Sequence, residues 1–279
     1  VSRLLVVNAD DMGLTPGVCR AVHRAHTEGV VTSTSVLAVG AAFDDAAARV
    51  RDAPGLGVGA HLAIVGEDRP LLSAAEVPTL VDRSGRFPLS YRTVVGRGAA
   101  GRIDADDVRR EFAAQLERVA GIGVGVTHLD THQHTHLWPG VAGVVVDLAR
   151  TAGVPGVRLP TSRARGPVGV GVRLLSGRLR ARLQRAGLQT TADYAGLDES
   201  GGLDSARFAG TLRRLAAAGA ASAEVNAHPG EGGEAALGRF AWGFRWADEL
   251  AMLTSPATRE LIDGLGYRLG SFADLAGAR

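Results

Sequence analysis

Short apolar runs and amphipathic helical runs alternate along almost the whole chain. That alternation limits the possible folds more than any other feature. Strand-like runs are expected at residues 4–8, 32–39, 56–62, 125–129, 157–159, 189–192, 221–226 and 267–269. Helical runs are expected from Thr15-Pro16 onward and at residues 43–53, 104–120, 140–152, 173–186, 204–218, 244–253 and 256–265. Repeated βα units imply a parallel sheet with helices outside it. A chain of 279 residues suits a closed or nearly closed α/β barrel of about seven to eight strands better than an open sheet. NADDMG follows the first strand where a glycine-rich dinucleotide turn would stand, which argues against a Rossmann fold. No linker is evident, so residues 1–279 are expected to form one barrel domain. The longest stretch outside the pattern, residues 65–103, follows the third strand and is expected to be an inserted flap. Within it, LVDRSGRF looks like two strand pieces around a Ser-Gly turn.

Composition removes several chemistries. The 31 basic residues are all arginine, so lysine Schiff-base catalysis and the lysine-bearing phosphate loop are excluded. A net charge of +2 is too small to argue for nucleic acid. The single cysteine, Cys19, rules out an intrachain disulfide and any multi-cysteine zinc site. It falls on the apolar stripe of the first helix with Val18 and Val22 and is expected to be packing. No run of apolar residues is long enough for a membrane span. The opening residues read as a strand rather than a signal peptide, which makes a cytoplasmic location the default expectation. A homodimer is assumed without a sequence signal behind it.

The reactive residues fall at strand ends. Asn8, Asp10 and Asp11 follow the first strand; His61 ends the third; His128, Asp130 and His132 end the fourth; His228 ends the strand that begins at 221. In a parallel barrel these ends share one rim. THLDTHQHTHLWPG alone carries four of the chain's eight histidines. One carboxylate and two histidines can bind a divalent metal and leave positions open for water and substrate. A second carboxylate could then take a proton from the attacking water, and a further imidazole could protonate a leaving group. Blander readings compete: Asp10 and Asp11 as a helix cap, although Thr15 caps better, and His61 as a core histidine. His134 and His136 are expected to be scaffolding, and His23 and His26 to be surface or packing residues. Trp138 could stack on a sugar ring or simply pack. Arg158, at a strand end, could contact substrate or form a surface salt bridge.

NADDMG, GAHL, THLDTHQHTHLWP and NAHPG, in this order, resemble the motifs of the YdjC/ChbG-type carbohydrate deacetylases, and RWADEL, ending near Leu253, also looks family-like. The resemblance implies a distorted TIM-like (β/α) barrel and metal-dependent hydrolysis of an N-acetyl group from an amino sugar or oligosaccharide. It implies Asp11, His61 and His128 as metal ligands, Asp10 as base and His228 as proton donor. Asp130 and His132 would orient a ligand or touch substrate. The ion would be divalent, with zinc the first expectation and magnesium, nickel or cobalt compatible with the donors. Met12 stands where the family commonly has an aromatic residue, so an altered pocket floor is expected. Two rival readings use the same ligand set: a non-haem iron oxygenase, and a non-catalytic sugar-binding protein with a structural metal.

Overall fold

The computed structural model describes residues 3–277. Its elements in chain order are β1 (Arg3–Met12), α1 (Pro16–Thr27), β2 (Ser33–Val36), α2 (Phe43–Arg51), β3 (Gly57–Leu62), α3 (Tyr91–Ala99), α4 (Ala105–Ala120), β4 (Val126–Thr131), α5 (Pro139–Thr151), β5 (Gly156–Val157), α6 (Pro167–Ala186), β6 (Asp193–Ala195), α7 (Ser205–Ala218), β7 (Ser222–Ala227), α8 (Trp246–Leu253), α9 (Pro256–Gly264) and β8 (Tyr267–Leu269). Short 3-10 turns cover His132–Leu137, Ala235–Arg239 and Phe272–Gly277.

The strands pair in the order β5-β4-β3-β2-β1-β7-β6, and every pairing is parallel. β1 is central and buried on both faces, as its unbroken apolar start LLVV requires. One of its edges is shared: β8 pairs with Arg3–Leu5 and β2 with the stretch from Asn8 onward. Among the described residues, the ends of the curled sheet meet only through the Gly156–Gln189 bridge, where Val157 N donates to Gln189 O at 2.9 Å and Gln189 N to Pro155 O at 2.8 Å. The result is the distorted α/β barrel expected from the sequence.

Local chemistry explains the helix starts. Thr15 Oγ1 accepts from Val18 N at 3.2 Å and Pro16 opens α1. Asp104 caps α4 and Asp204 caps α7 in the same way. Cys19 is buried in the core, where burial pushes its thiol up to about 12, the signature of an inert packing residue.

Three expectations need correction. The strand placed at 189–192 falls instead at Asp193–Ala195, and Gln189 contributes only the bridge. The sixth helix begins at Pro167 rather than 173, because proline at the first position starts it after Gly166. Residues 65–103 contain no strand: LVDRSGRF is a turn closed by Asp82, whose Oδ1 accepts from Ser84 N at 2.8 Å and Arg86 N at 3.1 Å, and the ordered element there is α3. The strand-like residues of that segment turn inward as single side chains, Val77, Leu80 and Phe87 among them, rather than pairing.

Two irregularities aim side chains at the C-terminal rim. Between Ala9 and Met12, β1 advances three residues while β2 advances two, from Thr34 to Val36. Asp11 takes up the extra residue at φ 63°, a left-handed conformation that non-glycine residues rarely adopt. β4 likewise gains one residue against β3, between Val126 and His128. That slip turns His128 into the barrel interior, where its ring stacks on Phe272 at 4.0 Å and 12°. A β-carbon added at Gly59 would lie 2.3 Å from the His128 ring. Gly59→Ala is therefore expected to overpack the interior by about 1–3 kcal/mol. That should lower the melting temperature by roughly 2–10 °C, measured by calorimetry.

Candidate active site

At the rim, the extra residue in β1 brings the Asp11 carboxylate against two imidazoles. His61 is the penultimate residue of β3, and His132 opens the turn after β4. His132 Nδ1 lies 3.0 Å from Asp11 Oδ1 and 3.3 Å from His61 Nε2, and His61 Nε2 lies 3.3 Å from Asp11 Oδ1. All three are buried. Two ring nitrogens and a carboxylate converging at this spacing are what a divalent ion with ligand bonds of about 2.0–2.2 Å requires. His61 is prepared for that role from behind: its Nδ1 faces Asp130 Oδ1 at 2.8 Å, which leaves Nε2 to point at Asp11 and His132. Burial works against a charged His61, yet Asp130 and Asp11 lift it to about 10. Burial likewise opposes an ionised Asp11, and His132 and His61 outweigh it, holding the carboxyl well below its usual range.

Asp10, Asp130 and His61 form a second close group. A cation there would compete with a guanidinium that already holds both carboxylates. Arg158 is fully buried. Its Nη1 and Nη2 donate to the two oxygens of Asp10 at 2.7 Å each, Nη1 also reaches Asp130 Oδ2 at 2.5 Å, and Nε donates to Glu224 Oε1 at 2.7 Å. Burial alone would depress it, but these three acids keep it charged and hold its pKa well above the usual value. Burial pushes Glu224 up to about 7 against the pull of Arg158. The chemistry of the donors thus favours Asp11, His61 and His132 as the group able to hold a metal.

His128 is not brought into that group. Its Nε2 lies 3.2 Å from Ser35 Oγ and its Nδ1 3.0 Å from Thr127 Oγ1, on the interior side of β4. Burial, against the pull of Asp130, pushes the ring down to about 4, so it sits there neutral. The sequence could not separate the two histidines, because the slip in β4 decides which residues of THLDTH face the rim.

Asp10 and His228 share the pocket with the triad. His228 Nε2 lies 3.9 Å from Asp10 Oδ2, and its Nδ1 has no protein partner among the described residues. Its backbone N–H is anchored to Glu249 Oε2 at 2.5 Å, and Phe244 lies 4.8 Å from its ring. Asp10 is held from three sides: by Arg158, by Asn8 Nδ2 at 2.7 Å and by Asn226 Nδ2 at 3.1 Å. The cavity of about 290 Å³ above these groups is also lined by Tyr91, Gln133, His134, Leu197, Trp242 and Phe244.

Other expectations fare differently. Trp138 does not line this cavity; it lies over Gly98 of α3 beside a neighbouring groove, and Trp242 and Phe244 supply the aromatic wall. Arg158 meets neither solvent nor the pocket surface. Met12 is buried in the core and does not form the pocket floor. His136 is scaffolding, bridging Thr131 Oγ1 at 2.7 Å and Arg158 O at 3.1 Å. His134 meets the Tyr194 hydroxyl at 3.3 Å and still reaches the cavity wall. Glu224, Tyr194, Asn226 and Ser35 were not anticipated. The acidic residue within the apolar strand AEVNA was the available signal for Glu224, since a buried acid needs a buried cation.

Comparison with known proteins identifies the family. The family model described as YdjC-like protein matches residues 4–264. The chain is 32% identical to the chitooligosaccharide deacetylase of Enterobacter sp. (strain 638), over 99% of this chain and 100% of that protein. It is 40% identical to the carbohydrate deacetylase of Geobacillus stearothermophilus over a shorter match, 55% of this chain and 58% of that one. A solved protein of Enterococcus faecalis V583, named for cellobiose-phosphate cleavage, superposes with a TM-score of 0.82 at 25% identity and 99% coverage of both chains. Match, length and architecture coincide, and the chain belongs to the YdjC-like family.

Proposed function

We propose that this protein is a carbohydrate deacetylase that releases acetate from an N-acetylated amino sugar with the help of one divalent metal ion. The relatives named as carbohydrate and chitooligosaccharide deacetylases support sugar deacetylation. The observation that carries the finer reading is the Asp11–His61–His132 triad with Asp10 and His228 on the wall of the same cavity. A purely structural metal site would have no use for a restrained carboxylate and an unpaired imidazole at its open side.

Asp11, His61 and His132 would hold the ion, which when bound polarises the amide carbonyl and makes water more acidic. Asp10 accepts the proton of the attacking water. Arg158 and Asn226 fix the Asp10 carboxylate so that it does not swing away, and Arg158 offsets the charge of a cluster otherwise dominated by acids. His228 donates a proton to the departing nitrogen, since an amide anion is too basic to leave unaided. Asp130 holds His61 in the tautomer whose Nε2 lone pair faces the triad. Trp242 and Phe244 offer apolar faces to a sugar ring.

The direct test is acetate release from N-acetylglucosamine oligomers by protein stripped with chelator and reloaded with zinc, nickel, cobalt or magnesium. No acetate with any ion sinks the reading, and turnover that needs oxygen and an oxo-acid would assign the iron oxygenase instead.

Metal content separates the two histidines of the fourth strand end. Asp11→Ala, His61→Ala and His132→Ala should each lose bound metal by elemental analysis, whereas His128→Ala should retain about the wild-type stoichiometry. Metal loss in His128→Ala with retention in His132→Ala reverses the assignment.

Asp10→Asn keeps the shape but cannot take a proton. It should keep its metal and lose turnover by roughly 100- to 10,000-fold. Loss of the metal instead exchanges the roles of the two aspartates.

His228→Ala should slow hydrolysis of an N-acetyl amino sugar far more than that of a nitrophenyl acetate ester, whose leaving group needs no proton. Equal losses on one preparation of confirmed metal content leave His228 as a brace for the turn into Pro229.

A further inference from the structure

Beside the catalytic cavity lies a second, larger one of about 480 Å³. Its floor is the turn after β4, one wall is α3, and the other is the start of α6 with the segment before it. Val94, Val95, Leu137, Trp138, Val172 and Leu175 are among the apolar side chains that line it. The two cavities adjoin: Tyr91, Gln133, His134 and Leu197 line both.

The polar groups of this groove are largely occupied. Asp198, its one charged side chain, accepts from Ser162 Oγ and Arg163 N at 2.6 Å each. The Gln133 amide is spent on the backbone of residues 65–103, with Oε1 accepting from Tyr91 N at 2.8 Å and Nε2 donating to Leu89 O at 3.0 Å. Of its buried polar side-chain atoms, only Thr135 Oγ1 and His134 Nδ1 lack a partner among the described residues, against the several hydroxyls that a further sugar ring would bring. The rim, by contrast, exposes apolar groups: Val168 is 68% exposed, Tyr91 38% and Val95 37%.

We propose that this groove receives an apolar aglycone, an alkyl or aryl group carried on the amino sugar. The substrate class is then an amphiphilic glycoside rather than a free oligosaccharide. The inference rests on the deacetylase reading of the adjoining cavity. A substrate with its acetamide at Asp11, His61 and His132 passes between Tyr91 and Leu197 and lays its other end against Trp138 and the valines of α3 and α6. Water leaving that surface favours each buried methylene.

The test uses metal-loaded enzyme and methyl, butyl, hexyl and octyl glycosides of N-acetylglucosamine below their micelle concentrations. Acetate release is expected to rise in kcat/KM by roughly fourfold per added methylene until the groove is full. Calorimetric binding of the matching alkyl glucosides, which carry no acetamide, should follow the same trend. Val168→Asp should flatten both slopes. Aspartate in the first turn of α6 suits the helix dipole, so a misfolded helix would not account for the loss. Leu174→Asp, 64% exposed on the same helix but outside the groove, should leave both slopes unchanged. Acetate release independent of chain length overturns the inference and leaves the deacetylase standing, as does a preference for N-acetyl oligosaccharides over the hexyl glycoside. A Val168→Asp variant that turns a dimer into a monomer with unaltered slopes assigns the face to self-association and also overturns it. Chain-length-dependent binding with no acetate from any glycoside keeps the groove and removes the deacetylase.

Discussion

A fully buried guanidinium shared by three carboxylates is the interaction on which the site depends. Arg158 leaves β5 and reaches Asp10 on β1, Asp130 on β4 and Glu224 on β7. These strands are spread across the curled sheet, so one side chain ties its far parts together electrostatically. Removing it would leave three buried acids without their cation, at a cost of several kcal/mol. Its presence also divides the labour of the acids. Asp10 and Asp130 are held by Arg158, while Asp11, with no contact to it, faces the two imidazoles.

Backbone irregularity supplies what an ideal barrel cannot. A regular strand alternates its side chains between two faces, so Asp10 and Asp11 would point apart. The extra residue at Asp11 breaks the alternation and lets both carboxylates serve one cavity. The turn after β4 repeats the device: Gln133 and His134 take positive φ values of 51° and 52°, which separates His132 at the triad from His136 beneath it. Strain of this kind persists where surrounding contacts over-determine it. Here Gln133 binds Leu89 and Tyr91 and His136 binds Arg158 O.

The segment of residues 65–103 has a part in the site that its position in the sequence does not reveal. Gln133 fastens Leu89 and Tyr91 to the turn that carries His132, and α3 then lies over Trp138 through Gly98. Glu67 receives the indole N–H of Trp242 at 3.0 Å, joining the same segment to the opposite aromatic wall. Residues 65–103 thereby border both cavities, and the shape offered to a substrate is set by how this segment docks.

The sequence by itself determined the barrel, the order of its strands in the chain, and the rim on which Asp10, Asp11, His61, Asp130, His132 and His228 would gather. Periodicity, caps and strand ends are local properties, and each can be read within a few residues. It did not determine which fourth-strand histidine reaches Asp11, where Arg158 points, or which tryptophan lines the cavity. Those answers depend on one-residue slips in register and on partners forty or more residues away: Asp130 for His61, Glu224 for Arg158, Gly98 as the surface on which Trp138 rests only after α3 has docked. A slip of one position reverses the face of every side chain that follows it, and only the packed barrel fixes where such a slip costs least.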